Sequence, residues 1–267
     1  MSFRACLSAF LGLAACAAAE SPVRQALTDE QIRGAEFLDL SIPNAGELFA
    51  AFGKVAKPDW SALFRKAPQT SLVTRPIIAL NLGTLIADGF LAAEAQDRQQ
   101  VKNVSREIKL LAKSLGLEQE FVGRNNSIAD FADGRRWEAL DEELEAVQSE
   151  FAIALSAQHD DALVTLMSLG CWLRSLEIVS AHLGAHYTVE SAAILRQPAV
   201  SEFFTARLEA FPAKVKAIPV VAEIQSRLPA LGAVLSLPAE TPPSSDAVTG
   251  LKSLTTGILN FITAPEK

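Results

Sequence analysis

Cysteine, tyrosine and methionine are scarce in this chain, and aromatic residues make up only 7% of its 267 positions. Three cysteines spread over that length do not make a disulfide scaffold. Cys171, set among Leu169, Trp172 and Leu173, has no base beside it and reads as a small buried hydrophobe, not a nucleophile. Few aromatics together with abundant Ala and Leu favour helix over strand. No stretch alternates apolar and polar residues in the manner of a half-buried strand. Also missing are a Gly-x-Ser-x-Gly elbow, a phosphate loop, a dinucleotide glycine fingerprint and a Cys/His zinc cluster. The acidic run from Asp141 to Glu145 lacks the glycine turn of a calcium loop and reads as a solvated face. Blocks of positive charge are lacking too: at a net charge of -7, with acids and bases interspersed, the composition predicts no nucleic-acid surface.

What is present begins with an export signal. Arg4 precedes an apolar run from Ala5 to Ala15, and Leu13-Ala14-Ala15-Cys16 follows the lipobox pattern. On that reading residues 1–15 are a lipoprotein signal peptide and Cys16 becomes the acylated mature N-terminus. Ordinary cleavage after Ala19 is the alternative, because Ala17-Ala18-Ala19 also meets the small-residue rule. Acylation, with Ala17 following, puts the protein at the outer membrane facing the periplasm; ordinary cleavage leaves it soluble in the periplasm or secreted. With Cys6 removed and Cys16 acylated, Cys171 has no partner for a disulfide.

Residues 22–267 read as one all-α domain, a multi-helix bundle around a buried central helix. That helix spans Asp161 to Leu183, with apolar residues on every side of its wheel. Arg174, Glu177 and His182 interrupt it, so it is not read as a bilayer span. Arg75 to Arg98 is the second organising helix, where Ala79, Gly83 and Ala87 form a flat ridge suited to close helix approach. Asn44 with Glu47 marks a capping box, and Thr28 with Gln31 suggests another. Further helices are expected from Pro58 to Phe64, from Val101 to Leu115 and from Trp137 to Leu155. Between the last two, Gly123, Asn125 and Asn126 are expected to split Leu117 to Gly134 into two short pieces. The run His159-Asp160-Asp161 should cap the central helix, and Gly184 should end or kink it. Pro68 to Thr74 reads as a loop. Pro198, Pro212, Pro219 and Pro229 mark helix starts or kinks. A proline-rich connection near 236–246 leads to a C-terminal packing helix from Val248 to Thr263, capped by Asp246.

Asn81, Asp88 and Arg174 are the polar residues placed on inward-facing helices. Charged groups are rarely buried alone, so an ion pair between Asp88 and Arg174, supported by Asn81, is expected as a polar network or the floor of a pocket. His182 and His186 are four apart, a spacing that on a helix offers two ligands to zinc or iron, with Glu177, Glu190 and Asp161 as further donors. Histidines at a helix C-terminus are also favoured simply by the helix dipole, and no metal or other cofactor is assigned.

Ile78-Ala79-Leu80-Asn81-Leu82-Gly83 followed by Ala87-Asp88, then Leu111-Ala112-Lys113-Ser114-Leu115-Gly116 and Gly170-Cys171-Trp172-Leu173, resembles a family of bacterial exported all-helical lipoproteins of uncharacterised activity. The likeness covers about the middle half of the chain. It implies a helical fold and export and supplies no activity. Relatives carry a carboxylate where this chain has Arg174, so no role is inherited there. Three functional readings follow: a lipid-anchored periplasmic binding or structural module, with a protein partner or a small apolar ligand; a metal-dependent enzyme using His182 and His186; and a soluble periplasmic carrier of a small apolar ligand.

Overall fold

The computed structural model describes residues 44–66 and 74–263. Residues 1–43, with the expected signal segment, Cys16 and the expected Thr28 and Gln31 capping pair, lie outside the described residues, as do 67–73 and 264–267. Most of the expected Pro68 to Thr74 loop is therefore outside them too. Among the described residues every regular element is helical. In chain order they are α1 (Ala45–Ala56), a 3-10 turn (Trp60–Leu63), α2 (Arg75–Glu94), α3 (Arg98–Leu115), α4 (Glu118–Asp133), α5 (Trp137–Ala157) and α6 (Asp161–Ala185). Then follow α7 (Val189–Ala192) with a second 3-10 turn (Ala193–Leu195), α8 (Pro198–Glu209), α9 (Ala213–Lys216), α10 (Pro219–Leu235) and α11 (Ser245–Thr263).

The bundle is built on α2 against α6, the most extensive helix contact in the protein. Every residue of α2 from Ile77 to Ala93 is buried, and α6 is buried from Leu163 to Ile178 with Glu177 half-covered. Both helices are long and apolar enough to cross a membrane by length and composition alone, yet nearly all of each is covered by the protein's own helices. The two run in the same direction. Arg75 at the start of α2 meets Asp160 before α6 at 2.5 Å, Leu80 meets Gly170, and Asp88 meets Arg174 further on. Their backbones touch. A methyl group added at Gly83 would lie 1.8 Å from the carbonyl oxygen of Met167, and one at Gly170 would lie 2.1 Å from that of Leu80. With Ala79 and Ala87 fully buried on the same ridge, small residues on both helices set the separation.

From α2 to α6 the chain turns four times by one device. A left-handed residue follows each helix: Gln96 (φ 53°), Gly116 (φ 80°), Arg135 (φ 54°) and His159 (φ 59°). The next amide reaches back to close the turn, Asp97 to Ala92 at 3.1 Å, Leu117 to Ala112 at 2.8 Å, Arg136 to Phe131 at 2.9 Å and Asp160 to Leu155 at 3.0 Å. This is the Schellman ending, which satisfies carbonyls that a helix terminus leaves orphaned.

Several local expectations are corrected. Helix α4 runs unbroken through Gly123, Asn125 and Asn126, because both neighbours hold it: Asn125 accepts from Ser105 on α3 at 2.9 Å, and Arg124 reaches Glu143 and Glu150 on α5. Tertiary contacts outweigh the local propensity. Gly184 lies inside the last turn of α6, which ends at Ala185. The Asp160 side chain makes no capping bond, being engaged by Arg75. Ser244, not Asp246, caps α11, accepting from the amide of Ala247 at 3.2 Å, so the helix begins at Ser245. Pro198 and Pro219 sit in first turns, where the missing N–H costs nothing, while Pro229 lies within α10. The Asn44 cap is present, its side-chain oxygen accepting from the amide of Glu47 at 2.8 Å.

Candidate functional site

Asp88 and Arg174 face each other across the α2 and α6 contact, past the point where Gly83 and Gly170 bring the backbones together. Arg174 Nε donates to Asp88 Oδ1 at 2.7 Å, Nη1 to Glu177 Oε2 at 2.7 Å, and Nη2 to the carbonyl of Leu63 at 3.1 Å. Arg65, just after the first 3-10 turn, closes the other side of Asp88: its Nε donates to Oδ2 at 3.0 Å. Its Nη2 lies 2.9 Å from the same oxygen without hydrogen-bonding alignment. Thr256 on α11 donates to Glu177 Oε1 at 2.9 Å. The result is a row of alternating charge, Arg65, Asp88, Arg174 and Glu177, that ties the 3-10 turn, α2, α6 and α11 together. Burial alone would push the Arg174 guanidinium down, but Asp88 and Glu177 together outweigh it and hold it above its ordinary value.

Asn81 lies apart from this row. Seven residues before Asp88 on the same helix, it is about 10 Å away along the axis. Its Nδ2 donates to the carbonyls of Ile77 at 2.9 Å and Ile262 at 3.0 Å. The second bond satisfies a carbonyl in the last turn of α11, so Asn81 anchors the end of that helix to the core. Its Oδ1 is buried without a hydrogen-bond partner among the described residues. Three residues expected in one network thus divide between two structural tasks.

Sequence reasoning missed Arg65, Leu63 and Thr256, which lie outside α2 and α6 and carry no local signal. Glu177 was legible: three residues after Arg174, it is on the same helix face.

His182 and His186 do come together at the end of α6, with ring centroids 4.8 Å apart and planes at 36°. His182 also packs edge-on against Phe52 of α1, at 5.5 Å and 82°. Burial, with His186 adding to it, pushes the His182 imidazole below its ordinary value. Among the described residues no group of three or more His, Cys, Asp and Glu is placed to hold a metal ion. Cys171 is buried against the α1 and α2 side of the core, and burial pushes its thiol up to about 12. A thiol shifted in this direction keeps its proton at neutral pH, which disfavours a nucleophilic role.

A second set of carboxylates gathers where the end of α2 meets the start of α5. Burial, then the nearby Glu94, Glu145 and Glu138, raise Asp141 to about 7. Glu94 is raised by burial as well. Asp141 Oδ1 is buried with no hydrogen-bond donor among the described residues. Glu145 has a donor of its own, the Asn44 side-chain amide at 2.7 Å.

Comparison with family models, with curated proteins and with solved structures found no match.

Proposed function

We propose that this chain is a lipid-anchored module of the bacterial envelope, periplasm-facing, whose helical body binds or braces a partner. The observation that carries this reading is Arg174: 4% exposed, it spends its donors on Asp88, Glu177 and Leu63 inside the protein. The polar groups at the heart of the bundle are a brace between helices, and recognition falls to the surface. The anchor rests on the Leu13 to Cys16 pattern. Replacing Cys16 by Ser is expected to move the protein from the membrane fraction that resists a wash at about 0.5 M salt to the fraction that the wash releases. A mature N-terminus at Glu20, read by mass spectrometry of wild-type protein, would overturn the anchor and leave a soluble carrier as the reading.

A metal held by His182 and His186 is the second reading, favoured by the 4.8 Å spacing of their rings. Expected instead is no change in melting temperature on chelation, and normal folding of the His182→Ala/His186→Ala variant. Stoichiometric zinc or iron in the wild type, lost in that variant, would make the enzyme reading the leading one, because bound metal stabilises the folded state by mass action.

A further inference from the structure

The cations of α3 are dispersed in sequence but not in space. Arg98, Lys102, Arg106, Lys109 and Lys113 are separated by steps of four or three, against a single acid, Glu107, on the same helix. At 100° per residue all five fall within an arc of about 80°, and from first to last they extend about 22 Å along the axis. The arc borders the groove between α3 and α4. There Lys102, Arg106 and Lys109 rim a cleft of about 270 Å³ floored by the Ser105 and Asn125 pair. Lys102 pairs with Asp133 at 2.7 Å and Lys113 approaches Glu118 at 3.9 Å, both largely in solvent. Arg98, Arg106 and Lys109 have no ion-pair partner among the described residues.

The geometry points to this face as the docking surface for a membrane bearing anionic phospholipid headgroups. Two observations select that occupant. The first is charge complementarity: α3 alone carries a net charge of +4 (five cations less Glu107), in a chain of net charge -7. The rest of the chain carries a net charge of -11 (-7 less +4), so an anionic surface is met most favourably through α3. The second is the pair of exposed aliphatic side chains at the Lys109 and Lys113 end. Leu110 is 49% exposed on α3, and Val122 is 46% exposed on the face of α4 that also carries Asn125 and Ala129. Lysines beside exposed aliphatics suit the boundary between headgroups and acyl chains, where a phosphodiester backbone would find no use for the apolar groups. The proposal does not rest on acylation of Cys16.

The test uses the full-length Cys16→Ser chain, so that no lipid contributes. Co-sedimentation is measured with vesicles of phosphatidylglycerol and, separately, of phosphatidylcholine, at low salt and at 0.5 M salt. Any partition of the apolar N-terminal run is common to both lipids and cancels in the comparison. Expected is preferential binding to phosphatidylglycerol at low salt that disappears at 0.5 M, where charges are screened within a few ångströms. Each surface cation contributes roughly fivefold to such binding. The Arg106→Glu/Lys109→Glu variant should therefore bind at least tenfold more weakly. Lys54→Glu/Lys252→Glu, an equal change in net charge made elsewhere, should change binding less than threefold. If circular dichroism shows the first variant unfolded, Arg106→Gln/Lys109→Gln replaces it, with a smaller loss expected in the same direction. Equal binding to both lipids, equal effects of the two charge reversals, or tighter binding to duplex DNA than to the anionic vesicles would each overturn the proposal.

Discussion

Near the middle of α2, Asp88 is enclosed by two guanidinium groups; less than two turns further on, Glu94 faces Asp141 with no ion pair among the described residues. The two places hold the same kind of charge and differ in what surrounds it. At Asp88, two cations and two anions alternate, so desolvation is offset by attraction and each carboxylate keeps a partner. At Asp141 burial acts first and the charges that act on it, Glu94, Glu145 and Glu138, are all acids, so the carboxyl is raised toward neutrality. The first arrangement is a fixed joint between helices. The second is a cluster of like charges whose contribution to stability depends on pH.

The joint at Asp88 depends first on how closely α2 and α6 approach, and breaking that approach should produce the largest effect. Gly83→Leu places a side chain where even a methyl group would meet Met167 at 1.8 Å. Overpacking costs typically 1–3 kcal/mol, and parting two backbones while separating Asp88 from Arg174 costs more. The variant is expected not to fold, or to lose most of its melting cooperativity. A melting temperature equal to wild type would show that the α2 and α6 contact does not hold the domain together.

Next in size is removal of the cation itself. Arg174→Met leaves Asp88 with Arg65 alone and Glu177 with only Thr256. Breaking one side of a buried pair costs about 3–5 kcal/mol. Urea unfolding should show that loss, and adding Glu177→Gln should recover part of it, since the orphaned charge is then gone. A loss below about 1 kcal/mol would place the row in effective contact with water.

The large features of this fold were legible because they follow from side-chain periodicity. The α2 and α6 helices, the small-residue ridge and the buried charges are all readable from spacing on a wheel. What was not legible came from contacts distant in sequence or from backbone settings without a residue signature. Arg65 meets Asp88 only because the 3-10 turn lies over the α2 and α6 contact. Three of the four Schellman endings use Gln96, Arg135 and His159 where glycine is the usual marker, so only the Gly116 turn announced itself. The α4 helix survives its glycine and asparagines through Arg124, whose partners lie on α5. The stripe on α3 was hidden by reading charge in blocks along the chain, whereas its period is that of the helix.

The smallest expected effect concerns the unbalanced carboxylates and sharpens the contrast by its sign. Asp141 has an ordinary value of 3.8, raised to about 7 in the folded protein, first by burial and then by Glu94, Glu145 and Glu138. The folded state therefore binds this proton more tightly than the unfolded state. Its contribution to stability is fully present below the unfolded value of 3.8 and is lost as pH rises through about 7. Asp141→Asn removes the titration and supplies a donor beside the acids. Because the site is partly open to solvent, the full shift is discounted, and the variant should be more stable than wild type by about 1 kcal/mol at pH 8. The advantage should shrink steadily as pH falls to 4. His182 works in the opposite direction, its lowered value costing stability as pH falls, but it is common to both proteins and cancels in their difference. Urea unfolding of the two at pH 8, 6 and 4 reads the effect directly. A difference independent of pH, or a variant less stable than wild type at pH 8, would mean that Asp141 is solvated, and the contrast with Asp88 would then reduce to exposure alone.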